Sequence, residues 1–270
     1  MGFELTEELV DSWTLVDDDL ALLAKKSGVT RAGFAVLVKF FQLHGRFPAG
    51  EGELPPGAVD YVAAQVSVPV EGLRSYWAGR SVKYHRAQIR STFGFREFTR
   101  VDEVRLTAWL AGEVCPSEVR DGALAEALLG RCRQEKIEPP GRVKRIVGAA
   151  RALFEKQFCG SIFERLGSAG IPSLEALLAD GTAGSLLAVL KADPGPAGLE
   201  SLLAEVEKLS AAQALELPAD LFAGVSEKVV GAWRARAAGM YPSDFWDTPE
   251  PVRLTLLAET PKPLSVDVRL

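Results

Sequence analysis

Apolar residues along this 270-residue chain recur at spacings of three and four. No stretch alternates apolar and polar positions with a period of two over β-branched residues, so the pattern predicts an all-α protein. Breaks rich in proline and glycine fall at 45–57 (GRFPAGEGELPPG), 138–141 (EPPG), 193–198 (DPGPAG) and 241–251 (YPSDFWDTPEP). Between them the spacing predicts helices over 18–26, 31–43, 58–66, 79–93, 101–113, 122–135, 142–158, 174–179, 199–209 and 227–237. Thr30, Ser173 and Ser226 stand where an N-cap hydroxyl is expected. The breaks and periods suggest a helical unit over 1–77, a second over 78–160 and a helical scaffold or dimerisation region over 161–270.

One segment is both periodic and strongly cationic. YWAGRSVKYHRAQIRSTFGFREF, from Tyr76 to Phe98, holds Arg80, Lys83, Arg86, Arg90 and Arg96 against a single acid, Glu97. Wound as a helix over 79–93, Arg80, Lys83, Arg86 and Arg90 fall within an arc of roughly 120°. Val82, His85, Ile89 and Phe93 take the adjacent arc. Two readings stand side by side: a solvated face whose cations pair with acids elsewhere, or a face that tracks phosphates, for which arginine is suited by its forked donors. His85, on the apolar side, reads as a hydrogen-bonded core histidine.

Just upstream, VAAQVSVPVEGLRSY (62–76) has the spacing of a helix-turn-helix. Ala63 supplies the small residue of the first helix, Val66 closes it, Ser67 stands where glycine is common in the turn, and Val68 is the buried turn residue. Pro69 suits a first helical position, and Leu73 anchors the second helix. Pro69, Val70, Glu71, Arg74 and Ser75 then face outward, with Gly72 loosening the helix that carries them. A second candidate runs from a support helix over 122–135, through KIEPPG, to a helix over 142–158 in which Val143, Ile146, Val147, Ala150, Leu153 and Phe154 make the apolar stripe. Arg142, Lys144, Arg145, Arg151 and Lys156 flank that stripe, and a plain helix hairpin with a basic rim fits it equally.

Charge sharpens the picture. The formal net charge is −5, yet residues 23–100 carry a balance of +7 and 131–160 one of +5, between acidic blocks at 1–22, 101–130 and 161–270. Such asymmetry is a better guide to partners than the total. Asp17, Asp18 and Asp19 read as a helix N-terminus in favourable dipole placement. Cys115, Cys132 and Cys159 are odd in number and form no CxxC pair, which points to buried free thiols in a reducing cytoplasm. With only His44 and His85 to join them, no structural zinc is expected. No apolar run is long enough to span a membrane, the N-terminus lacks the features of a secretory signal, and no cofactor loop or catalytic constellation is present.

These segments, with FAVLVKFFQLHGRFP (34–48), ELPPGAVDYVAAQVSVP (53–69), LTAWLAGEV (106–114) and RCRQEKIEPPGRVKRIVGAA (131–150), resemble the N-terminal region of Tn3-family transposases over roughly residues 1–180, in order. The most specific part is the run W-x-G-R-x-x-K-x-H-R-x-x-I-R followed by G-F-R. SLEALLADGTAGSLLAVLKADPGPAGLESLLAEVEKL (173–209) is similar to the family's continuation. The resemblance implies double-stranded DNA, at transposon terminal inverted repeats, as the partner of two helix-turn-helix-like units. It implies Arg46, Arg74, Ser75, Arg80, Lys83, Arg86, Arg90, Arg96, Arg142, Lys144 and Arg145 as the DNA-facing residues. It places the family's RNase H-like catalytic domain downstream of Leu270, so no strand cutting is expected of these residues. A homodimer is an open expectation, and a helical protein-interaction scaffold is the competing reading.

Overall fold

The computed structural model describes residues 6–55, 57–179 and 185–260, with the side chain of Arg74 outside the described set. The chain is all-α: α1 (Glu7–Trp13), α2 (Asp17–Leu22), α3 (Gly28–His44), α4 (Ala58–Gln65), α5 (Leu73–Trp77), α6 (Ser81–Thr92), α7 (Arg100–Trp109), α8 (Asp121–Gln134), α9 (Val143–Glu175), α10 (Leu186–Lys191), α11 (Leu199–Gln213), α12 (Glu227–Ala238) and α13 (Glu250–Glu259). A bridge between Arg96 and Ile137 is the one extended pairing among the described residues. The helices form two compact units, Met1–Glu103 with Leu128–Val143, and Val104–Ala127 with Lys144–Leu270.

In the first unit α3 is the axis. Its run from Phe34 to Val38, together with Phe40 and Phe41, is buried on every side, as expected of a helix that is apolar all round. Helices α1, α4, α5 and α6 pack against it. The ring of Phe41 meets those of Phe47 and Phe95 at centroid distances of 4.6 and 4.9 Å. Gly45 ends α3 in the left-handed region, at φ 64°, and its N–H closes on the Phe41 carbonyl at 2.8 Å. The start of α3 lies three residues earlier than the spacing suggests. Ser27 occupies the N-cap position and Thr30, expected there, is inside the helix with its hydroxyl donating to the Ser27 carbonyl at 2.7 Å.

In the second unit Phe158, Ile162, Leu177, Phe245, Leu254 and Leu257 form the core, and α12 lies against α13. Helix α9 continues well past Phe158 because Cys159, Ile162 and Leu166 prolong its buried stripe. It is broken at Gly167, at φ 60° and ψ −171°. Ser173 therefore sits within this element rather than at an N-cap, its hydroxyl donating to the Ala169 carbonyl at 3.2 Å. Ser226 does cap α12, accepting from the Val229 N–H at 3.4 Å. At the other end of α12 the Lys191 ammonium donates to the carbonyls of Ala237, at 2.8 Å, and Met240, a cation closing the negative end of a helix. Cys115, Cys132 and Cys159 are buried free thiols, and burial raises the pKa of the first and the last. Among the described residues no helix is long and apolar enough to cross a membrane, and no cluster of His, Cys, Asp or Glu is disposed to hold a metal ion.

Candidate nucleic-acid interface

Helix α6 is seated by its apolar arc. Ile89 is fully buried, and Val82 and Phe93 pack partly buried against the α3 core. His85 fills the same arc, its ring edge-on to Phe34 at 4.9 Å and its Nδ1 sharing a 2.8 Å hydrogen bond with the Tyr76 hydroxyl. Burial, with the Lys26 ammonium nearby, pushes the His85 pKa down to about 4. The ring is neutral at neutral pH, so it serves as a hydrogen-bonded support for α6 and adds no charge to the surface, as its place in the pattern suggests. Burial also raises the Tyr76 hydroxyl well above the usual tyrosine range, which keeps it protonated. Lys26 lies over the Phe34 ring at 4.1 Å and donates to the Gln88 carbonyl oxygen at 2.9 Å.

The cationic stripe of α6 divides in two. Arg80 and Lys83 are exposed, and neither has an ion-pair partner among the described residues. Arg86 and Arg90 are half-buried and engaged. The Arg86 guanidinium lies 5.2 Å from the Phe47 ring centroid and donates to the Pro48 carbonyl at 2.9 Å. Arg90 donates to Glu138 at 2.6 Å and to Glu97. The cause is angular. Arg86 and Arg90 lie on the flank of the helix next to Val82 and Ile89, so the packing that buries the apolar arc draws their stems inward. A hollow of ≈ 390 Å³ beside α6 is lined by Lys83 and Arg86 and also by Glu97 and Glu138. Its charge is mixed, and the single-sign feature of this region is the outward surface of the helix.

Arg96 and Arg46 likewise meet acids. Arg96 grips the buried carboxylate of Asp102 with two bonds of 2.6 Å. That carboxylate also accepts from the Thr99 N–H at 2.9 Å and hydroxyl at 2.6 Å, so it organises the start of α7. The backbone of Arg96 is held too, its N–H donating to the Lys136 carbonyl and its carbonyl accepting from Glu138, each at 2.9 Å. Arg46 pairs with both oxygens of Glu53, at 2.8 and 3.1 Å, beside the Phe40 ring. Glu53's pKa is lowered, first by these Arg46 bonds and then by the Ala49 N–H. In both arginines the local acid, a few residues on, provides a partner before any ligand does.

The 58–77 segment has the buried positions the spacing assigns. Ala63, Val66 and Leu73 are buried and Val68 packs partly buried on the same core. Ser67 adopts φ 55°, the conformation for which glycine is common at this turn, and the Val68 N–H closes the turn on the Ala63 carbonyl at 3.0 Å. The second element is short: one 3-10 turn over Val70–Gly72, then the five residues of α5. Gly72 has a packing reason to be there, since a Cβ at that position would come within 2.6 Å of Val29 on α3. Ser75 is exposed with its hydroxyl donating to the Gly72 carbonyl at 2.6 Å. The Arg74 side chain lies outside the described residues.

Of the second candidate, α8 occupies the expected span, α9 starts where expected but runs on to Glu175, and Ile146, Val147 and Ala150 are buried. Arg142, Lys144 and Arg145 are all exposed. Arg142 belongs to the first unit, and Lys144 and Arg145 open the second. Arg151 pairs with Asp121 at 2.7 Å. The centre of α6's outward surface was not marked by the cation pattern. Tyr84, Ala87 and Ser91 are exposed on the side away from Ile89, and Gln88 is exposed on the flank opposite Arg90; the signal that locates them is their angle to the apolar arc.

Fold and site together define an all-α chain that presents a cation-bearing helix, free of acids along its length, on a helical scaffold. Residues 2–150 match the family described as Domain of unknown function (DUF4158). The chain is 27% identical over 246 residues to the transposase for transposon Tn3926 of Escherichia coli, which covers 88% of this chain and 25% of that protein. It is 29% identical over 222 residues to the transposase for transposon Tn21 of Escherichia coli, covering 78% of this chain and 22% of that one. The chain belongs to the DUF4158 family and corresponds to the N-terminal region of Tn3-family transposases. It spans about a quarter of the length of the curated relatives it matches.

Proposed function

We propose that the chain binds double-stranded DNA at the terminal inverted repeats of a transposon, as the end-binding portion of a Tn3-type transposase. One observation supports this most directly. Arg80 and Lys83 stand exposed, without ion-pair partners among the described residues, on a helix that carries no acid, in a protein of net charge −5. Cations left in water on an acidic protein are available to an anionic polymer, and each phosphate they neutralise releases condensed counterions. Arg142 in the first unit and Lys144 in the second are exposed cations as well. Arg86, Arg90, Arg96 and Arg46 have a different part in this reading: they hold α6, the start of α7 and the 46–53 loop in place. The relatives' names, both transposases, support the same reading. End binding, rather than strand cutting, is the work assigned to these residues, carried out on DNA in the bacterial cytoplasm.

The test is a titration of the chain against a duplex bearing its own element's terminal repeat and against a scrambled duplex, over a range of salt. Replacing Arg80 and Lys83 together by Ala is expected to weaken binding to both duplexes alike and to lower the salt slope by about one to two. An unchanged slope would remove these two residues from the phosphate contacts, and no binding to either duplex would sink the DNA reading.

A second reading, association of copies of the chain through the second unit, has its own observation. Leu199, Leu202, Leu203 and Val206 share one stripe of α11 and are each more than half exposed, a larger apolar surface than a solvated helix needs. Light scattering decides it. A mass twice the 29.1 kDa of the chain, reduced to one chain by Leu203→Glu, is the expected result, and a single-chain mass for the unsubstituted protein excludes the reading.

A further inference from the structure

We propose that α6, rather than the short helix α5, is the element of the first unit that reads base edges, through Tyr84, Ala87 and Gln88, while Arg80 and Lys83 hold phosphates beside them. The inference rests on the DNA-binding reading and asks which helix enters the groove.

Length is the first consideration. A helix that reads the major groove must offer outward side chains on successive turns, because neighbouring base pairs are separated along the groove. At a rise of 1.5 Å per residue, the 12 residues of α6 extend about 18 Å. Its outward positions Arg80, Lys83, Tyr84, Ala87, Gln88 and Ser91 are exposed over three turns. The 5-residue α5 has Leu73 and Tyr76 buried and the Ser75 hydroxyl committed to the Gly72 carbonyl. Its outward surface is little more than one turn long.

Fixation is the second. A reading helix has to be held firmly enough that its outward groups do not pay for being ordered on binding. Helix α6 is held on its inner side by Ile89 and by the His85–Tyr76 hydrogen bond, and on its flank by Arg86 at Pro48 and Arg90 at Glu138. The guanidinium groups that looked available to DNA are the anchors that set the helix's orientation. What they leave outward is a surface with no carboxylate to repel the sugar-phosphate backbone.

The chemistry of that surface suits base edges. Gln88 has its carbonyl oxygen engaged by Lys26 at 2.9 Å, so its amide N–H₂ remains to donate. The acceptors it would meet in the major groove are guanine O6 and N7 or thymine O4. Tyr84 is 74% exposed and brings a hydroxyl that both donates and accepts. Ala87, between them, is small enough for close approach and presents a methyl group to a thymine methyl. Arg80 and Lys83 flank this trio at the N-terminal end of the helix, where a long cationic stem reaches the backbone.

The experiment begins by enriching duplexes from a randomised pool with the unsubstituted chain, then compares the enriched duplex with a scrambled one at a single salt concentration. Tyr84→Ala and Gln88→Ala remove exposed side chains, and unchanged thermal midpoints will verify that the fold is retained. Each is expected to weaken binding to the enriched duplex about tenfold while changing binding to the scrambled duplex less than about twofold. Repeating the enrichment with Gln88→Ala is expected to relax the preference at one or two adjacent positions. Equal losses on both duplexes would reduce α6 to a backbone contact. A selective loss on Arg74→Ala or Ser75→Ala, with none on Tyr84→Ala or Gln88→Ala, would hand base reading to α5. Either result overturns the inference while leaving DNA binding intact, as would binding by the unsubstituted chain that enriches no sequence. An unsubstituted chain that binds no duplex would overturn the inference together with the reading beneath it.

Discussion

Asp19→Ala is expected to destabilise the protein by about 3–5 kcal/mol, the cost of leaving one member of a buried ion pair without its partner. Asp19 is 1% exposed. Its carboxylate accepts from the Lys39 ammonium at 3.2 Å, from the Gln42 amide at 2.6 Å and from the Val16 N–H at 3.1 Å. One side chain thereby ties the start of α2 to the middle of α3. Removing it strands the Lys39 ammonium, whose side chain is 10% exposed, on a helix otherwise wrapped in apolar contacts. Replacing both members by apolar residues, Asp19→Leu with Lys39→Met, removes the stranded charge as well, so that the double variant should lose much less than Asp19→Ala alone. Denaturant unfolding of the three proteins measures this. A loss below about 1 kcal/mol for Asp19→Ala would mean that the Lys39 ammonium reaches water on its own.

Gly33→Ala is the second large effect, about 1–3 kcal/mol, and it arises from one added methyl group. A Cβ at Gly33 would lie 2.2, 2.4 and 2.6 Å from Cδ1, Cε1 and Cγ of Tyr76. Cγ is the root of the ring, so the side chain cannot step aside by moving its far end. Tyr76 is also 4% exposed and bound through its hydroxyl to His85. Making room requires α3 and α5 to separate or the Tyr76–His85 bond to break, and that bond helps to seat α6. Loss of stability should therefore come with a changed near-ultraviolet signal from the Tyr76 and Trp77 environment. A variant within a few tenths of a kcal/mol of the parent would show that this helix contact is loosely packed.

Much of the fold was legible because helical periodicity is a local property. The spans of α4, α6, α8 and α12 lie within a few residues of those the apolar spacing predicts, and Ser226 caps α12 as its position suggests. Three short helices, α1, α10 and α13, escaped the pattern. Two of them have six or seven residues, fewer than two full turns, too few for a period to repeat. Helix α13 is ten residues long, but Leu254, Leu256, Leu257 and Ala258 are all buried, so its apolar positions run together without a polar face. The start of α3 was misplaced for a similar reason. Ser27 and Thr30 both offer a hydroxyl, and only the backbone path decides which stands at the cap.

The sequence by itself determined the helical class, the cationic character of α6, its apolar seat and the role of His85, because each follows from residue type and a 100° step. Tertiary structure decided which cations remain in water. Arg80, Lys83, Arg86 and Arg90 share one cationic arc in the pattern, with Arg86 and Arg90 nearer the apolar seat, but the groups that engage those two are not local. Phe47 and Pro48 lie 38 or more positions before Arg86, and Glu138 lies 48 positions after Arg90. A carboxylate or carbonyl that distant in the chain leaves no periodic trace near the arginine it will meet. Only when the loop after α3 and the segment after α8 fold against the flank of α6 are two of the four cations drawn inward, and the helix is left with its outward surface open.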